Sequence, residues 1–78
     1  MTKSLQQLIA LALKVDESRV AIDASMQTIP EWDSLAHMNL VAALEAEFKV
    51  RFEPEDLLSM VSVREIVETL NRLGADLD

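Results

Sequence analysis

The stretch that decides the fold runs from Asp33 to Phe48 and reads DSLAHMNLVAALEAEF. It is rich in strong helix formers and contains neither glycine nor proline. It therefore predicts an uninterrupted helix from Ser34 to Phe48. Asp33 is a good N-cap for this helix, because its carboxylate can accept a hydrogen bond from a free backbone N–H of the first turn.

The two faces of this helix differ in bulk. At about 100° per residue, the large side chains share one broad arc, which predicts the face packed on the core. This arc consists of His37, Met38, Leu40, Val41, Leu44 and Phe48. The opposite arc consists of Leu35, Asn39, Ala42, Ala43 and Ala46. The outer face is therefore expected to carry mostly small side chains, with one exposed leucine beside Ser34.

Two further helices flank this one, and each starts with the spacing of a capping box. Ser4 and Gln7 predict a first helix that starts at Ser4, and Ser62 and Glu65 predict the start of the last helix. Both carry an apolar stripe at helical spacing. The stripes are Leu5, Leu8, Ile9, Ala12 and Leu13 in the first helix, and Val63, Ile66, Val67, Leu70 and Leu73 in the last.

The remaining segments predict one short helix before the last helix, and the position where the last helix ends. Pro54 opens the short helix, Pro54 to Ser59, in the first-turn position where proline is tolerated. Glu55 and Asp56 lie at its positive end. Gly74 is the expected C-terminal cap of the last helix, with fraying expected beyond it over residues 75–78.

The segment from Asp16 to Trp32 has no firm period and predicts a long loop. Its scattered apolar residues indicate a loop packed down by its own side chains, with a short helical turn around Ala21 to Met26. Trp32 is expected to pack this loop against the start of the next helix, as a hydrophobic staple does. His37, within the bulky arc, is expected to be a hydrogen-bonded core or boundary residue.

Composition fits one small α-helical domain over residues 1–78. The chain has 78 residues, half of them apolar, with one glycine and two prolines. So few chain-breaking residues favour helices joined by a few loops over a many-turned β domain. The sequence thus predicts an all-α fold: a small four-helix bundle of three main helices and one short helix, with a long loop after the first.

Charge and residue types exclude several function classes. A net charge of −7 argues against nucleic-acid binding and against docking on an anionic membrane surface. The absence of cysteine removes disulfides and thiolate metal sites, and one histidine is too few for most zinc sites. No apolar stretch reaches the roughly 18 residues of a membrane span. Because the first residues, MTKSLQQ, lack the apolar run of a signal peptide, a cytoplasmic location is expected. The protein is also expected to be a monomer.

Ser34 is the one residue in a setting that suits chemistry. A phosphodiester on its hydroxyl would lie at the positive end of a helix, near free N–H groups. A plain capping-region serine is the simpler interpretation. His37 lies three residues on and invites a hydrolase with Ser34 as nucleophile, but nothing in the sequence supplies an oxyanion hole or a third orienting group.

Several motifs together resemble the acyl carrier protein family. They are Asp33-Ser34-Leu35 after a long loop, the helix end Leu44-Glu45-Ala46-Glu47-Phe48, and the connector Phe52-Glu53-Pro54-Glu55-Asp56. The resemblance implies a carrier without catalytic activity. It implies a 4′-phosphopantetheine that a phosphopantetheinyl transferase attaches to Ser34, with Asp33 beside it. It also implies acyl groups held as thioesters and presented to acyl-loading, synthase or acyltransferase enzymes.

Two positions depart from the pattern usual in fatty-acid carriers, where acids follow the motif. Here Ala36 and Asn39 occupy them, which favours a specialised stand-alone carrier of polyketide, modified-lipid, amino-acid or surface-glycan synthesis. The rival hypothesis is an acidic helical protein-interaction domain that is never modified.

The expected partner-binding residues lie on the second helix. Residues 31–56 hold seven acids against two bases, so most of the net charge lies there. Glu45 and Glu47 flank the face that starts at Ser34, and they are expected to steer basic partner enzymes. The other expected contacts are Leu35, Met38, Asn39 and Ala42.

Overall fold

The computed structural model describes residues 3–75, and within them the chain is helical with no β-strand. Four α-helices follow one another along this part of the chain. They are α1 (Lys3–Leu13), α2 (Ser34–Phe48), α3 (Pro54–Ser59) and α4 (Val63–Arg72). The predicted all-α bundle of three longer helices and one short helix is confirmed.

Helix α2 has the predicted bounds and the predicted cap. The Asp33 backbone is extended, and its carboxylate accepts a hydrogen bond from the N–H of Ala36 at 2.9 Å. At the other end Lys49 adopts a left-handed conformation with φ of 55°. A residue in that conformation cannot continue a right-handed helix, so α2 ends at Phe48.

The predicted start of α1 is wrong. Ser4 lies inside the helix, which already includes Lys3. An N-cap residue needs a non-helical backbone, so Ser4 and Gln7 do not form a capping box. Serine and glutamine three residues apart are equally compatible with a helix interior, and the spacing alone could not separate the two.

Both ends of α4 agree with the sequence. The Ser62 hydroxyl accepts a hydrogen bond from the N–H of Glu65 at 3.2 Å and contacts the Glu65 carboxylate at 3.1 Å. Gly74 has a φ of +80°, as a C-terminal cap requires. The N–H of Ala75 donates to the carbonyl of Leu70 at 2.9 Å, so the expected fraying is wrong at position 75. Residues 76–78 lie outside the described residues.

The long loop contains a helical turn, but not where the sequence predicts it. A 3₁₀ turn spans Glu17–Arg19, whereas residues 21–26 form other turns and an isolated bridge. The turn forms earlier because the Asp16 carboxylate accepts the N–H of Ser18 at 2.9 Å and caps it. The same hydrogen bond lowers the pKa of Asp16.

Polar contacts hold this loop against the bundle. The Gln6 amide on α1 donates to the carbonyls of Glu17 and Val20 at 3.1 and 2.8 Å. Farther along, Ser25 forms an isolated antiparallel bridge with Ser62, just before α4. These contacts tie the start of the loop to α1 and its middle to the segment just before α4.

The core lies between the inner faces of the helices, and α1 packs against α2. Trp32 is its largest fully buried side chain, as the staple interpretation requires. From α2 the buried residues are His37, Leu40, Val41 and Leu44. Phe48 is half-buried. Met38 lies at the edge of the bulky arc and is also an expected partner contact; it is exposed and lines the groove beside α3.

Candidate functional site

Ser34 is the first residue of α2, and it is exposed. Asp33 caps the helix immediately before it. The first backbone N–H groups of a helix have no partner within the helix, and the helix dipole makes this end positive. The Ser34 hydroxyl is therefore accessible to a modifying enzyme, in a setting that favours an anionic group on it.

An open apolar groove runs beside Ser34, between α2 and α3. Its volume is about 480 Å³. It is lined by Met26, Ser34, His37, Met38, Pro54, Leu57, Leu58 and Val61. Leu58 is 82% exposed and Met38 is 52% exposed. The groove can take a flexible, largely apolar group attached at Ser34.

Sequence reasoning missed part of this groove. Met26, Leu58 and Val61 come from three separate segments, and none belongs to a motif that points to Ser34. The bridge between Ser25 and Ser62 brings the first of these segments to the start of α4. An isolated bridge leaves no periodic signal, so the sequence alone could not place these residues together.

His37 forms a hydrogen-bonded link beneath the groove, which confirms the prediction of a boundary histidine. The indole N–H of Trp32 donates to His37 Nδ1 at 3.0 Å. His37 Nε2 lies 2.9 Å from the carbonyl of Leu57. An indole N–H can only donate and a carbonyl can only accept, so Nδ1 is the acceptor and Nε2 carries the proton. With both ring nitrogens occupied, His37 has no lone pair for Ser34, and the hydrolase hypothesis loses its base.

Four of the five residues predicted for the outer face of α2 are exposed, whereas Ala43 is half-buried. Leu35 is 73% exposed, and Asn39, Ala42 and Glu47 are exposed with it. Glu45 differs from these because it is half-buried. Its Oε2 accepts a hydrogen bond from the backbone N–H of Phe52 at 3.0 Å.

Residues 3–75 contain no group of three histidine, cysteine, aspartate or glutamate side chains placed to hold a metal ion. None of the helices in this part of the chain has the length and apolar character needed to cross a membrane.

Residues 3–70 match the family described as "Phosphopantetheine attachment site". The chain belongs to the acyl carrier protein family. It is 36% identical to an acyl carrier protein of Treponema denticola over 66 residues, which cover 85% of each chain. It is 35% identical to an acyl carrier protein of Petrotoga mobilis over 69 residues, 88% of this chain and 81% of that protein.

A solved structure of the family has the same fold. It is the solution NMR structure of holo acyl carrier protein from Geobacter metallireducens, with a TM-score of 0.79 and 26% identity. The match covers 90% of this chain and 80% of that one. The resemblance stated from the motifs is thereby confirmed, and with it the carrier character of the family.

The cofactor of this acyl carrier protein is covalent 4′-phosphopantetheine, and the site fits it. The group needs an accessible hydroxyl, room for its phosphodiester and a surface for its arm. Exposed Ser34 at the start of α2 meets the first two needs, and the apolar groove meets the third. When bound, the group supplies the thiol that holds an acyl group. The polypeptide has no cysteine and so has no thiol of its own.

Proposed function

We propose that Ser34 Oγ is the attachment point of the 4′-phosphopantetheine. The observation that carries this assignment is the exposure of Ser34 at the first position of a capped helix, beside an apolar groove. A phosphopantetheinyl transferase would join Ser34 Oγ to the phosphate of the pantetheine arm of coenzyme A, releasing adenosine 3′,5′-bisphosphate. Asp33 supports this step by fixing the start of α2.

The carrier presents acyl thioesters to successive enzymes without catalysing their conversion. Tethering replaces free diffusion by a high local concentration of the acyl group at each partner's active site. The acyl-loading, synthase or acyltransferase enzymes of fatty-acid, polyketide or related acyl and aminoacyl pathways are the partner classes this chemistry requires.

The proposed partner surface includes residues of α2 and α3 near Ser34. On α2 it comprises Leu35, Met38, Asn39 and Ala42, with Leu58 of α3 across the groove. The two exposed leucines supply apolar contact near the modified serine. Small neighbours such as Ala42 let a partner helix or loop approach the backbone of α2 closely.

The acidic charge steers partners toward this surface. Glu47 at the end of α2 is exposed, as are Glu53 and Glu55 around the start of α3. Such a concentration of one sign attracts a basic partner surface over a distance of about one Debye length and raises its association rate. Glu45 adds its charge to the same field while it holds the connector after α2.

Ala36 and Asn39 bear on the choice of pathway. Both residues are uncharged, so the first turns of α2 lack the acidic side chains that could select partners at these two positions. This supports a specialised carrier. We further propose that the carrier is a cytoplasmic monomer of one domain over residues 1–78.

Mass spectrometry of the protein isolated from its own cells tests this function. A carrier shows the polypeptide mass plus one 4′-phosphopantetheine plus an acyl group, and hydroxylamine removes the acyl group because it cleaves thioesters. The composition of the released group names the pathway. A protein found only at its polypeptide mass would instead favour the unmodified interaction domain.

A further inference from the structure

Helix α3 forms one wall of the groove, yet it is weakly anchored by apolar packing. Its six residues contain one buried side chain, and that side chain is the charged Asp56. Leu57 is half-buried, and Leu58 is exposed. Leu57 packs against the core, and Met60, which caps the end of α3, is fully buried. Within the helix itself little apolar surface is buried, so polar contacts contribute to its position.

Polar contacts from two sides supply that anchoring. The Asp56 carboxylate pairs with Arg72 of α4 and also accepts the N–H of Glu53, which closes the first turn of α3. From the other side, His37 of α2 donates through Nε2 to the carbonyl of Leu57 at 2.9 Å.

Trp32 fixes which nitrogen of His37 faces α3. Its indole N–H can only donate, and it points at Nδ1 from 3.0 Å. Trp32 is fully buried, and His37 is 8% exposed, so water has little access to compete for these bonds. The proton of the imidazole is therefore directed to Nε2 and from there to Leu57.

We propose that His37 is a positioning residue: its imidazole, protonated at Nε2, holds α3 against α2 as the outer wall of the groove beside Ser34. The link from Trp32 through His37 to Leu57 joins the loop before the attachment serine, the helix that carries it and the opposite wall. The His37 bond is the contact of this link that reaches α3, so its loss weakens the hold on α3 from the α2 side. The identity of the group that occupies the groove rests on the proposed function. The positioning of α3 by His37 does not depend on that function.

The test uses the full unmodified chain and two measurements by NMR. Long-range ¹H–¹⁵N spectra of the imidazole report which nitrogen carries the proton. Backbone hydrogen exchange reports local opening, with the N–H of Met60, bonded to Asp56 in the last turn of α3, as the probe. The N–H of Ile9, in the middle of α1, is the internal reference for global unfolding.

The wild-type spectrum is expected to show Nε2 protonated and Nδ1 unprotonated. In His37→Leu the exchange of the Met60 N–H relative to that of Ile9 should rise roughly tenfold, as the loss of a buried hydrogen bond predicts. His37→Gln should recover part of the protection, because a glutamine amide has both an acceptor for Trp32 and a donor for Leu57.

A proton on Nδ1 in the wild type would overturn the proposal, even if His37→Leu failed to fold. Equal relative exchange of Met60 in wild type, His37→Leu and His37→Gln would also overturn it. Since neither measurement requires modification at Ser34, failure here is distinguishable from failure of the proposed function.

Discussion

Glu45 accepts a hydrogen bond from the backbone N–H of Phe52 at 3.0 Å, so an acid near the end of α2 holds the connector that leads to α3. Glu47 lies two residues on and is exposed. Two acids that share one expected role in the sequence therefore differ in the fold. Glu45 makes a structural hydrogen bond, whereas the role proposed for Glu47 rests on its charge alone.

This difference predicts unequal effects on stability. Glu45→Ala should lower the free energy of unfolding by about 1–2 kcal/mol, because it leaves the N–H of Phe52 without its charged acceptor. Glu47→Ala should change it by less than about 0.5 kcal/mol, as is usual for surface positions. Urea denaturation followed by circular dichroism measures both, and equal losses would contradict the structural role of Glu45.

Glu47 predicts an effect on association with partners. Glu47→Lys should slow modification by a phosphopantetheinyl transferase several-fold at low salt, and the difference from wild type should shrink as salt is added. Glu68→Lys is the matched control, since Glu68 is an exposed acid on α4. Equal slowing in the two variants would show that net charge alone, and no local surface, controls the rate.

The cap of α2 predicts a specific pattern at position 33. Asp33→Ala should cost about 1 kcal/mol of stability, because the N–H of Ala36 loses its acceptor. Asp33→Asn should retain most of that stability, since asparagine caps nearly as well. Thermal or urea unfolding of the three proteins provides the comparison, and an asparagine variant as unstable as the alanine variant would argue against capping.

The ion pair that spans the long loop predicts a pH dependence. Arg19 donates to both carboxylate oxygens of Glu31 at 2.8 Å, which lowers the pKa of Glu31 below its ordinary value of 4.5. The folded form therefore binds this proton less readily than the unfolded chain. The contribution of the pair to stability is present above the ordinary value and is lost as pH falls through the lower folded value.

Side-chain NMR titration of Glu31 checks this directly. In Arg19→Gln the pKa of Glu31 should rise toward its ordinary value, because the hydrogen bond from Arg19 that lowers it is gone. Asp16 serves as the control within the same protein, since Ser18 lowers its pKa independently of Arg19. An unchanged Glu31 titration in the variant would contradict the account of this pair.

Local signals in the sequence predicted the elements whose ends carry their own hydrogen bonds. The bounds of α2 follow from Asp33 and from an unbroken run of helix formers. Ser62 and Gly74 likewise mark the ends of α4 by chemistry that acts within a few residues. Ser4 shows the limit of such signals, because serine and glutamine three residues apart can occur inside a helix as well as at its start.

Contacts between distant segments were beyond the sequence. Met26, Met38 and Leu58 line the groove together, and no short-range pattern connects these three residues. The link from Trp32 through His37 depends on where α3 lies, which a helical period of α2 does not encode. The position of Ser34 at the start of α2 and the exposure of Leu35 and Asn39 were thus predictable, whereas the groove that Met26 and Leu58 complete was not.

The most direct test of the central claim is the intact mass of the purified chain after incubation with coenzyme A and a phosphopantetheinyl transferase of broad specificity. The wild type should gain the mass of one 4′-phosphopantetheine, and Ser34→Ala, with its circular dichroism unchanged, should gain nothing. A wild-type mass that stays constant while a known carrier is modified in the same reaction would contradict the claim. A gain that persists in Ser34→Ala would contradict the assignment of the attachment to Ser34.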